Sequence, residues 1–440
     1  MRLWLATALL VAGISASGDA AATYRRPRPD YDGRGERRTT VGEAVAWAPR
    51  TVLFPLWMVH EYVLRVPLGA LTTHAEKHRW PTRLVDFFTF DEAHKIGWVP
   101  TAFYEFGLLP SVGVYFFWDD FVVRKNAFRM HAATWGEDWL SFTVVDRLTV
   151  RYRGEDRGTV SLRAEWTRRS DGLFGGLGPR SRERDLGRYR SDRTAASLLF
   201  DLRIFRASAV RTSIGVRRLR FDDDRRCCGD PSLAQRVASG QVELPPGFED
   251  GYTIAHQGLD LVLDSRDPDG PRTGARLVLS GEHAGDTTRR WLRYGATAGA
   301  FLDVGHRRTL GLVGYAAFVD PLRGAIPFTE QITLGGFEPM RGYRPGRLVD
   351  RSALVVTAQY EWPIWIWLHG ALQLGAGNVW GARLSELDPK LTRLSAAVGF
   401  RTTSSPDHQL EVLVGAGTET WEDGLRPNEL RVMLGSTRGF

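Results

Sequence analysis

The sequence predicts an all-β membrane protein, a 16-stranded antiparallel transmembrane β-barrel with a short helical N-terminal segment. Three observations predict this fold. Short segments alternate apolar and polar residues, the number of segments is even, and the long connections all fall at every second position. Together they describe a sheet that closes on itself, with an apolar face toward lipid and a polar face toward a lumen.

The first residues have the features of an export signal. Residues 1–20 carry a positive Arg2, an apolar run and then small residues, which predicts a cleaved signal peptide and, with the barrel, an outer-membrane location. A membrane anchor is the alternative, but the apolar run is shorter than the roughly 20 residues of a spanning helix. Residues 21–40 are polar and basic, which predicts a disordered linker.

Residues 41–97 differ in pattern from the rest of the chain. Prolines break this part into stretches in which apolar residues recur with loose helical spacing. We expect short helices that plug the lumen, cap its periplasmic mouth or lie on the membrane surface, and the sequence leaves these three positions open.

The barrel itself is predicted for residues 98–440. From Val160 to Trp166 every second residue is apolar, while Ser161, Arg163 and Glu165 occupy the other face. Sixteen such segments begin near residues 98, 111, 127, 139, 158, 190, 207, 257, 273, 291, 308, 352, 365, 392, 408 and 428. An even strand number is what bacterial single-chain membrane barrels require.

The connections between these segments support the same fold. The long ones lie on one side of the predicted sheet and comprise residues 171–189, 222–256, 320–351, 381–391 and 418–427. Tight turns lie on the other side, as in an outer-membrane barrel whose long loops are extracellular. A sixteen-stranded lumen is too wide for side chains alone to fill, so we expect the charged face to be the inner one.

Charge and cysteine content narrow the class of protein. The net charge of +7 comes from 58 Lys+Arg and 51 Asp+Glu that are dispersed along the chain, so we expect no nucleic-acid partner. The two cysteines, Cys227 and Cys228, are adjacent, so disulfides do not staple the fold. The pair is interpreted as a loop feature, a contact with another chain or a redox element.

Patterns that carry enzyme chemistry do not occur in the sequence. The segment HAEKH places His74 and His78 on one helical face, but Glu76 is not adjacent to the first histidine, as zinc proteases require. There is no nucleophile elbow, phosphate loop or dinucleotide fingerprint. We therefore expect no enzyme activity, no metal and no cofactor.

The stretch LGGFEPMRGYRPGR resembles the sixth-loop motif of the BamA/TamA superfamily of outer-membrane assembly and translocation barrels. The matching residues are Leu334, Gly335, Gly336, Met340, Arg341, Gly342 and Tyr343. A turn motif of that family is matched by Asp264, Arg266, Pro271 and Gly274. The terminal Phe440 resembles the family's C-terminal recognition signal. The resemblance is to short, surface-antigen-type members that lack POTRA domains.

The resemblance implies that the sixth loop, within residues 320–351, folds into the lumen. It also implies that Arg341 pairs with carboxylates on the inner wall of the twelfth and thirteenth strands. The family's acidic positions are here Gln359 and Gly375, while Glu361 lies on the lumen-facing side of the same strand as Gln359. We predict that Arg341 reaches Glu361, with Gln359 as a neutral neighbour, because a buried arginine needs a carboxylate partner.

The resemblance also implies a function: insertion, assembly or translocation of proteins (or lipids) at the outer membrane. The route would be a seam between the first strand, residues 98–106, and the last, residues 428–440.

Expected partners are outer-membrane lipids, client outer-membrane proteins and periplasmic assembly factors, and the barrel is expected to be monomeric. A passive or gated pore for small solutes is the alternative. A structural barrel whose long loops bind an extracellular partner is the third interpretation.

Overall fold

The computed structural model describes residues 58, 62, 66–152, 154–205, 207–223, 227–266, 273–305, 307–336, 339–365, 367–402 and 410–436. The predicted signal peptide, the predicted basic linker, Pro271 and Phe440 lie outside these residues. In the part of the chain that is described, no helix has the length and apolar character needed to cross a membrane.

Sixteen strands form one closed antiparallel barrel, which confirms the predicted fold class. The barrel strands are β1 (Ile96–Glu105), β2 (Ser111–Asp119), β3 (Asn126–Thr134), β4 (Trp139–Tyr152), β5 (Glu155–Phe174), β6 (Gly187–Phe205), β7 (Ser208–Asp223), β8 (Tyr252–Asp264), β9 (Gly274–Gly285), β10 (Arg290–Asp303), β11 (Thr309–Arg323), β14 (Ser352–Trp365), β15 (Leu368–Trp380), β16 (Arg393–Thr402), β17 (Leu410–Thr418) and β18 (Pro427–Ser436). Between β11 and β14, two short strands, β12 (Ile332–Leu334) and β13 (Leu348–Asp350), form a separate hairpin.

Helices are confined to the N-terminal segment and the long connections of the described chain. They are α1 (Val66–Lys77), α2 (Trp80–Phe88) and α3 (Leu233–Ala238). Single 3-10 turns occur at Glu183–Asp185, Phe328–Glu330, Ala382–Leu384 and Pro389–Leu391. α1 lies close to the end of β14, since a Cβ atom built on Gly69 would be 3.3 Å from the Trp365 ring.

The alternation along each strand places charge inside the barrel and apolar side chains outside. On β7, Arg217 is buried on the inner face, whereas Ile214 and Val216 on the outer face are 57% and 53% exposed. The same high exposure holds for Leu162, Leu259, Leu312 and Leu374. Large apolar side chains exposed in a continuous band are unfavourable in water and favourable in lipid, so the outer face is the membrane-contacting one.

The barrel closes through few backbone pairs. We define the seam as the contact between β1 and β18, which within the described residues pair at Phe103, Tyr104 and Glu105 of β1. By contrast, β1 pairs with β2 over the whole of Ile96–Phe103. Because ladder hydrogen bonds add up along a pair of strands, the described part of the seam is weaker than the β1–β2 pair on the other side of β1.

The segment after α2 lies on the β1 edge that faces β18. The backbone N–H of Phe90 donates to the carbonyl oxygen of Ile96 (2.8 Å). Phe88 is buried edge-on against Trp98, with ring centroids 5.0 Å apart. Pro100 is four residues beyond Ile96 and so on the same edge, where it has no N–H to donate. The N-terminal segment and a proline thus both limit strand pairing along this edge.

The long connections pack against one another over the lumen. An apolar cluster that joins two of them to the end of β5 comprises Phe174, Leu233, Val242, Phe248 and Phe328. Arg188 is fully buried nearby and donates to the carboxylate of Asp230 (2.8 Å) and to the carbonyl oxygen of Gly107 (2.6 Å). Cys227 and Cys228, in the connection after β7, are joined by a disulfide. The long-loop end of the barrel is therefore covered by a packed lid.

Candidate functional site in the barrel lumen

The connection between β11 and β14 folds into the lumen as a hairpin. Its β12–β13 pair holds Leu334 opposite Leu348, and both side chains are fully buried. They belong to one apolar cluster with Val355 of β14 and Val379 of β15, which face inward. Burial of this apolar surface against the wall, at about 25 cal/mol per Å², holds the loop inside the barrel rather than above it. We call the segment from Gly335 to Arg347 the loop tip.

Arg341 in the loop tip reaches a carboxylate on β17. Its Nη2 atom forms an ion pair with Oε1 of Glu411, and both residues are buried. The predicted pair of Arg341 with Glu361 is therefore wrong. Glu361 faces the lumen but accepts a hydrogen bond from Nη2 of Arg401 (2.8 Å), a cation on β16 that already compensates its charge. Gln359 is likewise no partner of Arg341 among the contacts described.

Backbone contacts of the loop tip explain why Arg341 arrives at β17. The N–H of Gly342 donates to Oγ of Ser395 (2.8 Å). A Cβ atom at position 342 would lie 2.0 Å from the carbonyl oxygen of Ala416, so only glycine permits this approach to β17. Gly375 leaves room for the tip, because a Cβ atom there would be 3.2 Å from Sδ of Met340. Position 375, which the resemblance makes an acidic position, is thus a glycine here, and Met340 of the loop tip packs beside it.

Tyr343 anchors the same docking from its other side. The side chain is fully buried, and its hydroxyl donates to the carbonyl oxygen of Leu394 (2.9 Å) and accepts from the N–H of Thr418 (2.8 Å). A Cβ atom at Gly417 would be 2.5 Å from the Tyr343 ring, so glycine at this wall position makes space for the ring. The aromatic position of the motif is therefore a hydrogen-bonded wedge between β16 and β17.

Two further arginines of the loop tip converge on one carboxylate. Arg344 donates to Oε1 of Glu429 from its backbone N–H (2.7 Å) and from Nε (2.9 Å). Nε of the fully buried Arg347 lies 3.5 Å from Oε2 of Glu429, and its guanidinium also donates to Oγ of Ser181 (3.0 Å). Glu183, in a long connection, is 3.5 Å from Arg344; its burial, and then the nearby Glu429 carboxylate, raise the pKa of Glu183.

Arg431 of β18 connects the loop tip to the seam. Its Nε and Nη2 atoms donate to the two carboxylate oxygens of Glu105 on β1 (2.5 and 3.2 Å). Its Nη1 atom donates to the carbonyl oxygens of Gly336 and Arg341 (3.0 Å for Arg341). Both charged side chains are buried, so this two-bond ion pair is the strongest polar contact across the seam.

The predicted turn motif lies at the opposite end of the barrel. Arg266 donates to both carboxylate oxygens of Asp264 (2.9 and 2.7 Å), and its guanidinium lies 4.3 Å from the centre of the Phe301 ring. Gly274 pairs with Phe301 across β9 and β10, which brings the turn against the next hairpin. This group holds the short-turn end together and does not touch the loop tip.

Several residues of the lumen network were missed by the motif comparison. They are Glu105, Glu411, Glu429 and Arg431 around the loop tip, and Arg217, Tyr252, Glu282 and Glu330 on the opposite wall. The signal for them was present, because each is a polar residue at an inward-facing position of an alternating strand or in the sixth loop. Which of these charges meet could not be read from alternation alone.

Comparison with known proteins was consistent with this architecture. The Omp85 superfamily domain is matched by residues 135–416. Among solved structures, the chain resembles BamA from Haemophilus ducreyi lacking POTRA domains 1–3, with a TM-score of 0.53 and 12% identity over 78% of this chain and 70% of that chain. No curated protein matches the sequence.

CdiB proteins are the other structural relatives. CdiB from Escherichia coli matches with a TM-score of 0.50 and 14% identity, over 77% of this chain and 62% of that one. CdiB from Acinetobacter baumannii gives a TM-score of 0.47 and 11% identity, over 78% and 59%. The chain thus spans less than two thirds of the CdiB chains. At these identities, the likenesses to BamA and to the E. coli CdiB establish the fold alone.

Proposed function

Since the chain belongs to the Omp85 superfamily, we propose that it inserts or translocates proteins (or lipids) at the outer membrane through the seam between β1 and β18. It is an outer-membrane barrel of the Omp85 type and not an enzyme, because barrels of this family act in assembly and translocation. Its clients would be outer-membrane or secreted proteins, delivered by partner factors.

The observation that carries the proposal is the construction of the seam. Within the described chain the two strands are held together by three paired residues of β1, by the backbone N–H of Phe106, which donates to the carbonyl oxygen of Val432 (2.8 Å), and by one buried ion pair, Arg431 with Glu105. Opening such a seam breaks fewer ladder hydrogen bonds than opening any strand pair with a full register. An opened seam presents the edge of β18 and the Phe103–Glu105 part of the β1 edge, which can hydrogen-bond an incoming strand.

The loop tip supports the same proposal. Arg431 donates at once to Glu105 across the seam and to the backbone of the loop tip, so seam opening and loop movement share one side chain. A client that displaces the loop tip would remove hydrogen bonds that position Arg431. The seam would then lose its main polar contact without any change in β1 itself.

A disulfide across the seam tests the proposal. Tyr104 and Leu434 are directly paired, so the double substitution Tyr104→Cys and Leu434→Cys should lock the seam. Loss of client assembly in the locked form, with recovery on reduction, is expected. The client is first identified by depleting the protein from its host and surveying outer-membrane proteins and lipids.

A matched lock elsewhere is the control. Val114 and Ala132 are directly paired between β2 and β3 and also face outward, so Val114→Cys with Ala132→Cys locks an ordinary strand pair. This control should keep its activity in the oxidised form. Full activity in the seam-locked form would exclude lateral opening.

A gated pore is the second candidate function, and one cavity favours it. A cavity of about 430 Å³ lies between the inner wall of β1–β6 and the loop tip, lined in part by His131, Trp139, Arg169 and Asp171. It shows that the hairpin does not fill the lumen on this side. Conductance in planar bilayers, with and without residues 41–90, separates a pore from an assembly barrel. A large steady conductance with no change in other outer-membrane proteins on depletion would favour the pore.

A further inference from the structure

Three arginines face outward at the long-loop end of β6 and β7. Arg217 and Leu219 are buried on the inner face of β7, so Arg218 and Arg220 point away from the lumen, and both are exposed. On β6, Tyr189 packs inward against aromatic residues, so Arg190 points outward. We call Arg190, Arg218 and Arg220 the basic rim.

Among the described residues, the basic rim is only partly neutralised by its neighbours. Asp192 lies opposite Arg220 in the β6–β7 register, but it accepts a hydrogen bond from Nε of Arg168 (2.8 Å) on β5. Asp222 is opposite Arg190. The four arginines, counting Arg168, exceed the two aspartates by two charges, and within the described chain no ion pair joins a basic-rim arginine to a carboxylate.

The basic rim lies directly above the lipid-facing band. Val216 and Ile214 precede Arg218 on the same outer face of β7 and are 53% and 57% exposed. Arg218 and Arg220 follow this apolar band toward the long-loop end. Their guanidinium groups therefore lie at the level of the lipid headgroups, where they stay hydrated.

Strands β17 and β18, next to the seam, lack outward arginines at this end of the barrel. β7 is close to the point opposite the seam in the barrel order. At the same end of β17 and β18, next to the seam, the outward residues are Ala416, Thr418, Asn428 and Leu430, and none is charged. Outward arginines at the long-loop end are therefore not a feature of every strand.

A second pair of cations extends the band on β10 and β11. Arg290 and Arg323 are directly opposite each other in register, and both are exposed. Like charges directly opposite on neighbouring strands repel each other, so the pair is unfavourable unless an anion lies between them. Its position on the same wall as the basic rim points to the same class of ligand.

We infer that the basic rim binds the phosphate group of an anionic lipid in the outer leaflet. The planar guanidinium group of arginine matches the geometry of a phosphate and can donate two parallel hydrogen bonds to it. The site is separate from the seam and from the loop tip, so it does not depend on the proposed translocation. Its role would be to fix lipid on the wall away from the seam.

Lipid binding by a double variant tests this inference. The purified barrel in a zwitterionic detergent is titrated with bis-phosphorylated lipid A, and bound lipid is counted by native mass spectrometry. Arg218→Gln with Arg220→Gln should weaken lipid A binding about tenfold or more, because each arginine at a membrane surface contributes on the order of 1 kcal/mol to anionic-lipid binding. Raising the salt concentration should weaken the wild-type binding in the same way.

The controls separate charge at the rim from charge in general. Arg157→Gln with Arg203→Gln removes two exposed arginines from the short-turn end and should leave lipid A binding unchanged. Lipid A without its phosphates should bind the wild type as weakly as the rim variant binds lipid A. Equal binding by wild type and rim variant would overturn the inference. So would equal binding of the dephosphorylated lipid, or full competition by millimolar inorganic phosphate, which would indicate a site for soluble anions.

Discussion

A single buried arginine, Arg431, joins parts of the molecule that are far apart in sequence. Its partner Glu105 is 326 residues away, and the carbonyl oxygens that it also contacts belong to the loop tip. Arg341, in the loop tip itself, is also buried, and it pairs with Glu411 on β17, the strand next to β18. Buried charges of this kind are costly unless paired, so each arginine specifies where its partner must be rather than adding much stability.

Removing Glu411 should undock the loop tip. Glu411→Gln leaves the Arg341 guanidinium buried without a carboxylate, which costs on the order of 3–5 kcal/mol. We expect a lower unfolding temperature and faster protease cleavage within Gly335–Arg347. Both are measured on the purified barrel, by heat-dependent gel migration and by limited proteolysis.

Glu361→Gln is the matched comparison for this prediction. Glu361 pairs with Arg401, which is about a third exposed, so its loss should cost less, about 1 kcal/mol, and should leave the loop tip protected. Exchange of the charges at Arg341 and Glu411 should restore part of the lost stability. If Glu361→Gln instead freed the loop tip and Glu411→Gln did not, the pairing described here would be wrong.

At the scale of elements, the N-terminal segment contacts the strand β1 that forms one side of the seam. The edge of β1 that faces β18 has few backbone groups available to a client strand. The carbonyl oxygen of Ile96 already accepts from the N–H of Phe90, and Pro100 has no N–H to donate. Phe88 holds this segment in place through its contact with Trp98. α2 therefore contacts β1 through the buried Phe88 side chain, whereas its neighbour Phe87 is 71% exposed.

Phe88→Ala should release the N-terminal segment from β1. Truncating a buried phenylalanine costs about 3 kcal/mol or more, which exceeds what a single backbone bond from Phe90 contributes. Amide hydrogen exchange at Phe90 and across Trp80–Phe88 should accelerate, as followed by mass spectrometry. Phe87→Ala removes a ring of the same size from an exposed position and should leave the exchange unchanged. Equal acceleration in both variants would show that Phe88 does not anchor the segment.

For the whole molecule, the described contents of the lumen are the sixth-loop hairpin and the packed long connections. The hairpin packs against β14 and β15 through apolar side chains and against β16–β18 through polar contacts, and the packed connections cover the long-loop end. A cavity of about 430 Å³ remains beside β1–β6 among the described residues. A barrel of sixteen strands without such contents would be a wide aqueous channel.

Shortening the loop tip should convert the barrel into a pore. Replacing residues 339–347 by a short glycine-serine linker removes Arg341, Tyr343 and Arg347 and with them the plug. We expect conductance in planar bilayers to rise several-fold over the wild type. Gly281→Ala, at an outward position where a Cβ atom meets no neighbour, controls for purification and insertion. A wild-type conductance already equal to that of the shortened form would show that the hairpin does not obstruct the lumen.

The sequence by itself determined the strand number, the face that meets lipid and the membership of the family. These depend on local properties, since alternation along one strand fixes which side chains point outward and the motif around Arg341 is contiguous. The membership is confirmed by the Omp85 domain match, and the strands begin within a few residues of their predicted positions.

Only the tertiary structure decided which charges meet. Arg341, Glu361 and Glu411 all face the lumen, so alternation could not choose between the two acids. Two contacts explain why Arg341 pairs with Glu411. Gly342 brings the loop tip close to β17, and Glu361 already accepts a hydrogen bond from Arg401. The contact of Arg431 with Glu105 depends on barrel closure, which brings together the first and last strands. Interactions across a lumen depend on where distant strands stand around the barrel, and no short stretch of sequence contains that information.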